Sequence, residues 1–283
     1  MGMDINDKIC VITGATSGIG RDTAMELARQ GMRLVLPVRN MEKGEALRKE
    51  IMEVTGNGHA DLFACDLESL ASVREFADAF LKKYDRLDVL INNAGVWETR
   101  RSLSRDGIEK VFAVNHLAPF LLTNLLLGAV QNAPAGRIIN VASNAHRAGK
   151  IRFSDLEGKK RWNHIRAYTQ SKLANILFTR KLAGKLNGEG TTANSLHPGF
   201  VQTSLFDRFP GWMMGLLSPV MLSTQEGAET TIYLAVSPDV DKTSGAYFAS
   251  KKIRQPAAAA RRDADADRLW DVSMEYLHKA GVM

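Results

Sequence analysis

Short apolar runs and helical patterns alternate along the first two-thirds of this chain, and that alternation admits few folds. The apolar runs are Lys8 to Thr13, Arg33 to Val38, Ala60 to Cys65, Val89 to Ile91, Arg137 to Ala142 and Thr192 to Leu196, with a later one at Ala246 to Ala249. They have the length and composition of strands. Between them lie helical patterns at Arg21 to Arg29, Glu42 to Val54, Leu70 to Lys83 and Ile108 to Val130. Repeated βαβ units build a parallel sheet with helices on both faces. The expected fold is therefore α/β, a doubly wound parallel sheet of about seven strands. No Pro/Ser-rich linker and no fixed repeat divides the chain, so residues 1–283 read as one domain.

Immediately after the first run comes Thr13-Gly14-Ala15-Thr16-Ser17-Gly18-Ile19-Gly20, followed by a helix. Glycines at a strand-to-helix turn let the backbone approach a pyrophosphate. The helix N-terminus adds unpaired N–H groups and the positive end of its dipole. The spacing is G-x-x-x-G-x-G rather than the commoner G-x-G-x-x-G, but strand, turn and helix fall in the order that dinucleotide binding requires. The fold is thus expected to be of the Rossmann type, with cofactor contacts from Gly14, Thr16, Ser17, Gly18, Ile19 and Gly20.

The second strand ends at Pro37-Val38-Arg39-Asn40, where an NAD site would place a carboxylate for the ribose hydroxyl. There is none. Arg39 suits a 2′-phosphate instead, and Lys43 one turn on adds charge, so NADP(H) is expected over NAD(H). Asp66, beside Leu67, closes the third strand and could accept from the adenine amino group. Asn92-Asn93-Ala94-Gly95 follows the fourth strand, and its small residues allow close approach. These loops all sit at strand carboxyl ends, where open α/β sheets bind ligands.

Tyr168 and Lys172 stand four apart in a stretch without Pro or Gly from Ala167 to Ala183. On a helix they share one face. A cation beside a phenol lowers its pKa from ~10 toward the range useful for proton transfer.

Two segments break the rhythm. Residues 145–166 form a polar insertion rich in Gly, Lys and Arg. Residues 204–223 are apolar and Met-rich, with Phe206, Trp212 and Met213 as candidate substrate contacts. They suit a lid over a lipophilic substrate, since clustered Met fits varied apolar partners. A short buried helix on the core would use the same residues. Near the end, Arg261 to Lys279 reads as a helix with an apolar Leu269-Trp270-Val272 face.

The net charge of +6 is spread among acidic residues rather than gathered in a basic-aromatic pattern, so no nucleic-acid partner is expected. Cys10 and Cys65 lie in strand runs and read as buried thiols of a reducing compartment. No signal peptide and no bilayer-spanning stretch is apparent, so a soluble, cytoplasmic protein is expected; the nearest apolar stretch, around Phe120 to Val130, reads as a core helix. His116, His146 and His197 lack metal-ligand spacing, so no metal is expected.

Taken in order, Thr13-Gly-x-x-x-Gly-x-Gly20, Asn92-Asn-Ala-Gly95, Asn115, Ser143, Tyr168-x-x-x-Lys172 and Pro198-Gly199 resemble the short-chain dehydrogenase/reductase family over nearly the whole chain. Val38-Arg39-Asn40-Met41-Glu42-Lys43-Gly44, Ser171 to Phe178, His197-Pro198-Gly199, Arg268-Leu269-Trp270 and the insertion look like its retinol-dehydrogenase-like branch. The resemblance implies that Tyr168 is the catalytic acid/base and that Lys172 lowers its pKa and binds the nicotinamide ribose. Ser143 would bond the substrate oxygen, as an oxyanion donor does. Asn115 would hold a water of the proton relay. Pro198, Gly199 and Thr203 would line the nicotinamide, and the Val201 backbone would anchor its carboxamide. The implied enzyme is an NADP(H)-dependent oxidoreductase interconverting an alcohol and a ketone or aldehyde on a retinoid- or steroid-like molecule. A hydroxysteroid dehydrogenase is the nearest alternative. A non-catalytic dinucleotide sensor or scaffold is the alternative from another class, though such proteins commonly lose the tyrosine or lysine. The family also implies a homodimer or homotetramer through the Asn115 and Tyr168 helices. Membrane members of the branch usually carry an N-terminal hydrophobic anchor; none is read at the start of this sequence, so a soluble enzyme is expected.

Overall fold

Cys10 and Ile12 point to one side of the first strand and Ile9 and Val11 to the other, and all four are buried. A strand covered on both faces needs apolar residues at every position rather than at alternate ones. The computed structural model describes residues 5–186, 190–201 and 221–283. Its strands are β1 (Ile9–Ile12), β2 (Arg33–Val38), β3 (Ala60–Ala64), β4 (Val89–Asn92), β5 (Arg137–Val141), β6 (Thr192–His197), β7 (Tyr247–Ala249) and β8 (Lys252–Ile253). They form one sheet in the order β3-β2-β1-β4-β5-β6-β7-β8. Every pairing is parallel except the last, between β7 and β8. The eighth strand exceeds the expected seven. It is two exposed residues long and carries no apolar run to announce it.

Helices α1 (Gly18–Arg29), α2 (Met41–Thr55) and α3 (Leu70–Lys83) follow the first three strands. Next come α4 (Lys110–Gln131), α5 (His164–Lys185), α6 (Thr224–Val236) and α7 (Asp263–Lys279). Two cores result. One, around Ile12, Leu27, Leu34, Ile139 and Leu196, lies under α1, α2 and α6. The other, around Val11, Leu90, Phe76, Phe120, Leu177 and Leu269, lies under α3, α4, α5 and α7. Local caps set the helix starts: Asn40 Oδ1 accepts from Lys43 N at the head of α2, and Ser223 and Glu226 close a reciprocal capping box on α6. The sheet order reverses at β1, so the loops after β1 and β4 open a crevice at their carboxyl ends, where such sheets bind ligands.

Helix α4 corrects the expectation that no stretch could span a bilayer. By length and composition alone it could, yet 78% of its apolar window is buried inside the fold. Its apolar character serves the second core. Cys10 and Cys65 are free and buried, and burial pushes the Cys65 thiol up to about 12 and Cys10 well above its ordinary value.

Helix α7 lies over the outer face of α4 and α5. Trp270 meets Phe120 edge-on at 4.9 Å and Phe178 at 5.9 Å, while Leu269 and Leu277 are buried. Lys181–Asp267 and Arg180–Asp263 ion pairs flank the contact. The apolar face of the two helices named for self-association thus already has a cover from the same chain. Leu269→Ala should cost about 2–5 kcal/mol of stability, read as a lower urea midpoint with an unchanged slope. An unmoved midpoint would mean that α7 is not docked as described.

Candidate active site

Gly14 and Gly18 in the loop after β1 have φ of +69° and +54°, in the left-handed region open to glycine. At Gly20 the constraint is contact: a Cβ there would overlap the Gly14 carbonyl oxygen and come 2.5 Å from Asn93 Nδ2. The neighbouring loop is tied in by Thr13, whose hydroxyl accepts from Asn93 N and Ala94 N, each at 3.0 Å. Asn93 Nδ2 returns a bond to Thr13 O at 2.9 Å. Ser17 caps α1 through extended backbone, makes no side-chain bond to the first turn, and no acidic residue lies there. The first-turn amides therefore remain available to an anion, and the glycine cradle fits a dinucleotide pyrophosphate. Thr16, Gly18 and Ile19 are partly exposed along the same loop.

The rim of the crevice is more acidic than expected. Arg39, 69% exposed, donates to Glu68 Oε1 at 3.0 Å. Lys110 reaches the same oxygen at 2.9 Å and Glu98 at 3.2 Å. Asp66 pairs with Arg105 at 2.9 Å and accepts from Glu68 N. Asn40 is committed to its helix cap, Lys43 is exposed, and Leu67 packs on the core. Arg39 and Asp66 thus stand where expected but already hold partners in the chain. Glu68, on which two cations converge, was missed because an acidic residue in a loop carries no periodic signal.

Helix α5 begins at the cap Asn163, whose Oδ1 accepts from Ile165 N and Arg166 N. His164, Tyr168 and Lys172 recur every four residues and so form one stripe. Lys172 at its inner end is 4% exposed, donates to Val141 O at 3.0 Å, and lies 5.6 Å from the Tyr168 ring centre. Ser143, two residues beyond β5, hydrogen-bonds the Tyr168 hydroxyl. A Cβ on Gly95 would come 3.4 Å from Lys172 Nζ and 3.5 Å from Asn115 Oδ1, so the bare glycine leaves the approach to both open.

The electrostatics overturn the expected sign. Burial pushes Tyr168 up to about 12, with the Ser143 bond pulling the other way. Burial also brings Lys172 down to about 8, and its ammonium serves the Val141 carbonyl rather than the phenolic oxygen. Desolvation outweighs the Ser143 bond, so the phenol keeps its proton at neutral pH.

Asn115 sits in a π turn, Ala113–Leu117, inside α4 and is wholly buried. Such turns interrupt an α-helix by one wider loop and recur at functional sites. The Asn115 side chain accepts from Val96 N at 2.7 Å and donates to Val96 O at 3.0 Å and Ser171 Oγ at 3.1 Å. Its amide therefore stitches the loop after β4 to α5 beside Tyr168. His116 bonds Ser273 Oγ, and His146 bonds Ser143 O and Ala257 N, each holding structure together. Burial brings His116 and His197 down to about 4. Among the described residues no group of three His, Cys, Asp or Glu side chains could hold a metal.

Pro198 and Gly199 follow β6, with Gly199 at φ +99°, and Val201 is buried and bridges to Leu222. Thr203, Phe206, Trp212, Met213 and most of the apolar 204–223 segment lie outside the described residues. The aromatic group found at the site is a different one. Trp97 lies 4.7 Å from the Tyr168 ring and 5.6 Å from His164, ring centre to ring centre. Its nearness to Gly95 along the chain was the available signal.

The sequence model described as short chain dehydrogenase matches residues 8–213. Retinol dehydrogenase 11 of Homo sapiens is 44% identical over 272 residues, covering 95% of this chain and 86% of that protein. Dehydrogenase/reductase SDR family member 13 of Bos taurus is 44% identical over 276 residues, covering 95% and 73%. Among solved structures, an uncharacterized protein from Mycobacterium paratuberculosis superposes with a TM-score of 0.79 at 33% identity, covering 98% of this chain and 97% of that one. A short chain dehydrogenase from Escherichia coli CFT073, complexed with NADPH, does so at 0.70 and 26% identity, covering 88% and 99%.

Proposed function

The chain belongs to the short-chain dehydrogenase family, and on that premise we propose that it works with NADP(H) to reduce an aldehyde or ketone on a lipophilic molecule. One observation carries the reading: the Tyr168 hydroxyl, bonded to Ser143, shares a helix stripe with buried Lys172, which lies against Gly95 in the loop that packs on the glycine cradle through Asn93 and Ala94. A nicotinamide dinucleotide held by that cradle would supply the hydride. The chain's own part is to place the carbonyl and deliver a proton. Ser143 holds the carbonyl oxygen, and Tyr168 gives its phenolic proton to that oxygen as the carbonyl carbon gains the hydride. Lys172 orients the cofactor ribose and, as a buried cation, steadies the phenolate left behind. Asn115 positions Val96 and the Tyr168 turn.

A phenol at about 12 is an acid rather than a base at neutral pH, which supports reduction as the working direction. The human relative at 44% identity carries the name retinol dehydrogenase 11, which supports a retinoid or another long apolar substrate. NADP(H) preference rests on Arg39, tempered by Glu68.

One experiment tests the whole: turnover of retinal and other carbonyl compounds with NADPH and NADH, in wild type, Arg39→Ala and Glu68→Gln. Wild type should turn over with NADPH. Arg39→Ala should lose about tenfold or more in NADPH affinity with little change for NADH, the scale of a hydrogen bond to a charged group. Glu68→Gln should tighten NADPH several-fold, because a carboxylate beside a 2′-phosphate repels it. A clear NADH preference in wild type would sink the cofactor assignment, and no carbonyl turnover with either would sink the activity.

A further inference from the structure

We infer that Glu109 is a positioning residue: its one buried carboxylate ties the head of α4 to the head of α5, and that tie holds the Tyr168 hydroxyl where the carbonyl oxygen must arrive. The inference rests on the carbonyl-reductase reading and adds a residue to it.

Glu109 stands just before α4 and is 1% exposed. Its two oxygens face different elements. Oε2 accepts from Phe112 N at 2.8 Å and so caps α4, where the helix dipole favours a negative charge. Oε1 accepts from Trp162 Nε1 at 3.1 Å. Trp162 directly precedes Asn163, the cap of α5. The Glu109 N–H donates to Glu157 Oε2 at 3.3 Å. Among the described residues, both hydrogen bonds from the 145–166 insertion to the head of α4 thus end on Glu109.

The head of α5 needs such a tether. The buried residues of α5 begin at Thr169, one place beyond Tyr168, so no residue of its first turn is sealed in the core. Farther along, Asn115 Nδ2 reaches Ser171 Oγ at 3.1 Å and joins the same two helices again. Tyr168 lies between the two ties. A helix held at one point can pivot about it; held at two, it cannot. Gln170 binds the insertion and α5 into one body, accepting from Arg152 N and donating to Leu156 O, so the hold on the insertion passes to the helix. The precision matters because a drift of about 1 Å at a reacting group can cost about a hundredfold in rate.

The test compares Glu109→Gln, Trp162→Phe, the double variant and Tyr276→Phe with wild type. Glu109→Gln keeps the volume but turns one acceptor into a donor, so the side chain can hold Phe112 N or the indole, not both. Trp162→Phe removes the N–H and keeps an aromatic ring. Each should lower kcat with NADPH by about tenfold to a hundredfold, with KM and NADPH affinity within a few-fold of wild type. In the double variant the amide no longer faces the indole donor, so its kcat should match that of Trp162→Phe alone, whereas independent effects would multiply. Tyr276→Phe is the control. It removes the hydroxyl that donates to Glu157 Oε1 at 3.0 Å, a bond of the same kind between the insertion and α7. It should lower the urea midpoint as far as Trp162→Phe does and leave kcat unchanged. Amide hydrogen exchange at Ala167 and Tyr168 reads the tie without turnover. It should be about tenfold faster than wild type in Glu109→Gln and Trp162→Phe and unchanged in Tyr276→Phe. Absence of carbonyl turnover in wild type thus counts against the reductase reading alone, while the exchange still decides the tether. Unchanged kcat or unchanged exchange in Glu109→Gln and Trp162→Phe, an equal kcat loss in Tyr276→Phe, or single effects that multiply in the double variant, overturns the inference.

Discussion

Tyr168→Phe should lower kcat for carbonyl reduction by about 10²–10⁴-fold, the range of a lost general acid, while NADPH affinity and the unfolding midpoint stay near wild type. The substitution removes one oxygen and keeps the ring. Contacts of the ring with Trp97 and with the Lys172 ammonium survive it. What is lost is the phenolic proton that the fold holds beside the Ser143 hydroxyl. The phenol is a willing carrier in one direction. Held at about 12, it is protonated at neutral pH and has a proton to give to the carbonyl oxygen. Single-turnover measurements with saturating NADPH separate chemistry from product release. A variant that keeps near wild-type kcat would remove Tyr168 from the reaction. A variant that also loses NADPH binding would show that the hydroxyl serves the cofactor site instead.

Gly20→Ala is the second large effect expected, and it acts on the other half of the site. The new methyl group would strike the Gly14 carbonyl and the Asn93 side chain. Neither can retreat easily. Gly14 already packs against Ala94, where a Cβ of its own would come 3.0 Å from the Cα, and Asn93 is bonded to Thr13. The loop must therefore open. Overpacking of this kind costs about 1–3 kcal/mol, and displaced first-turn amides would weaken NADPH binding by about a hundredfold, as two or so lost charge-assisted bonds would. Gly128→Ala provides the control. That glycine is an exposed residue of α4 with no neighbour within 4 Å of its added Cβ, so alanine there should stabilise by up to about 1 kcal/mol. Calorimetric titration with NADPH reads the pair. Equal affinities in the two variants would refute the cradle.

Much of this was legible because burial on both faces writes strands as unbroken apolar runs. Arg33 to Val38 and Leu70 to Lys83 fall at the positions read from sequence. The π turn at Asn115 was not legible, since one extra residue in a helix leaves the apolar pattern nearly intact. Nor was β8, which has no apolar pattern at all. The Tyr168/Lys172 pairing was read correctly as a shared face, but the sign of the tyrosine shift was not. Sequence spacing gives the neighbour and not the burial, and here burial decides. Glu68 and Trp97 escaped for a related reason. Their partners, Arg39 and Lys110 for one and Tyr168 and His164 for the other, lie far away along the chain.

The cover that α7 provides has a consequence for how the protein is made. At about 5–20 residues per second, Leu269 and Trp270 leave the ribosome several seconds after Phe120 and Phe178. During that interval the outer face of α4 and α5 is bare and apolar on a nascent chain. Chains that stall in translation before α7 would carry that face uncovered, a ready target for chaperones that bind exposed hydrophobic surface.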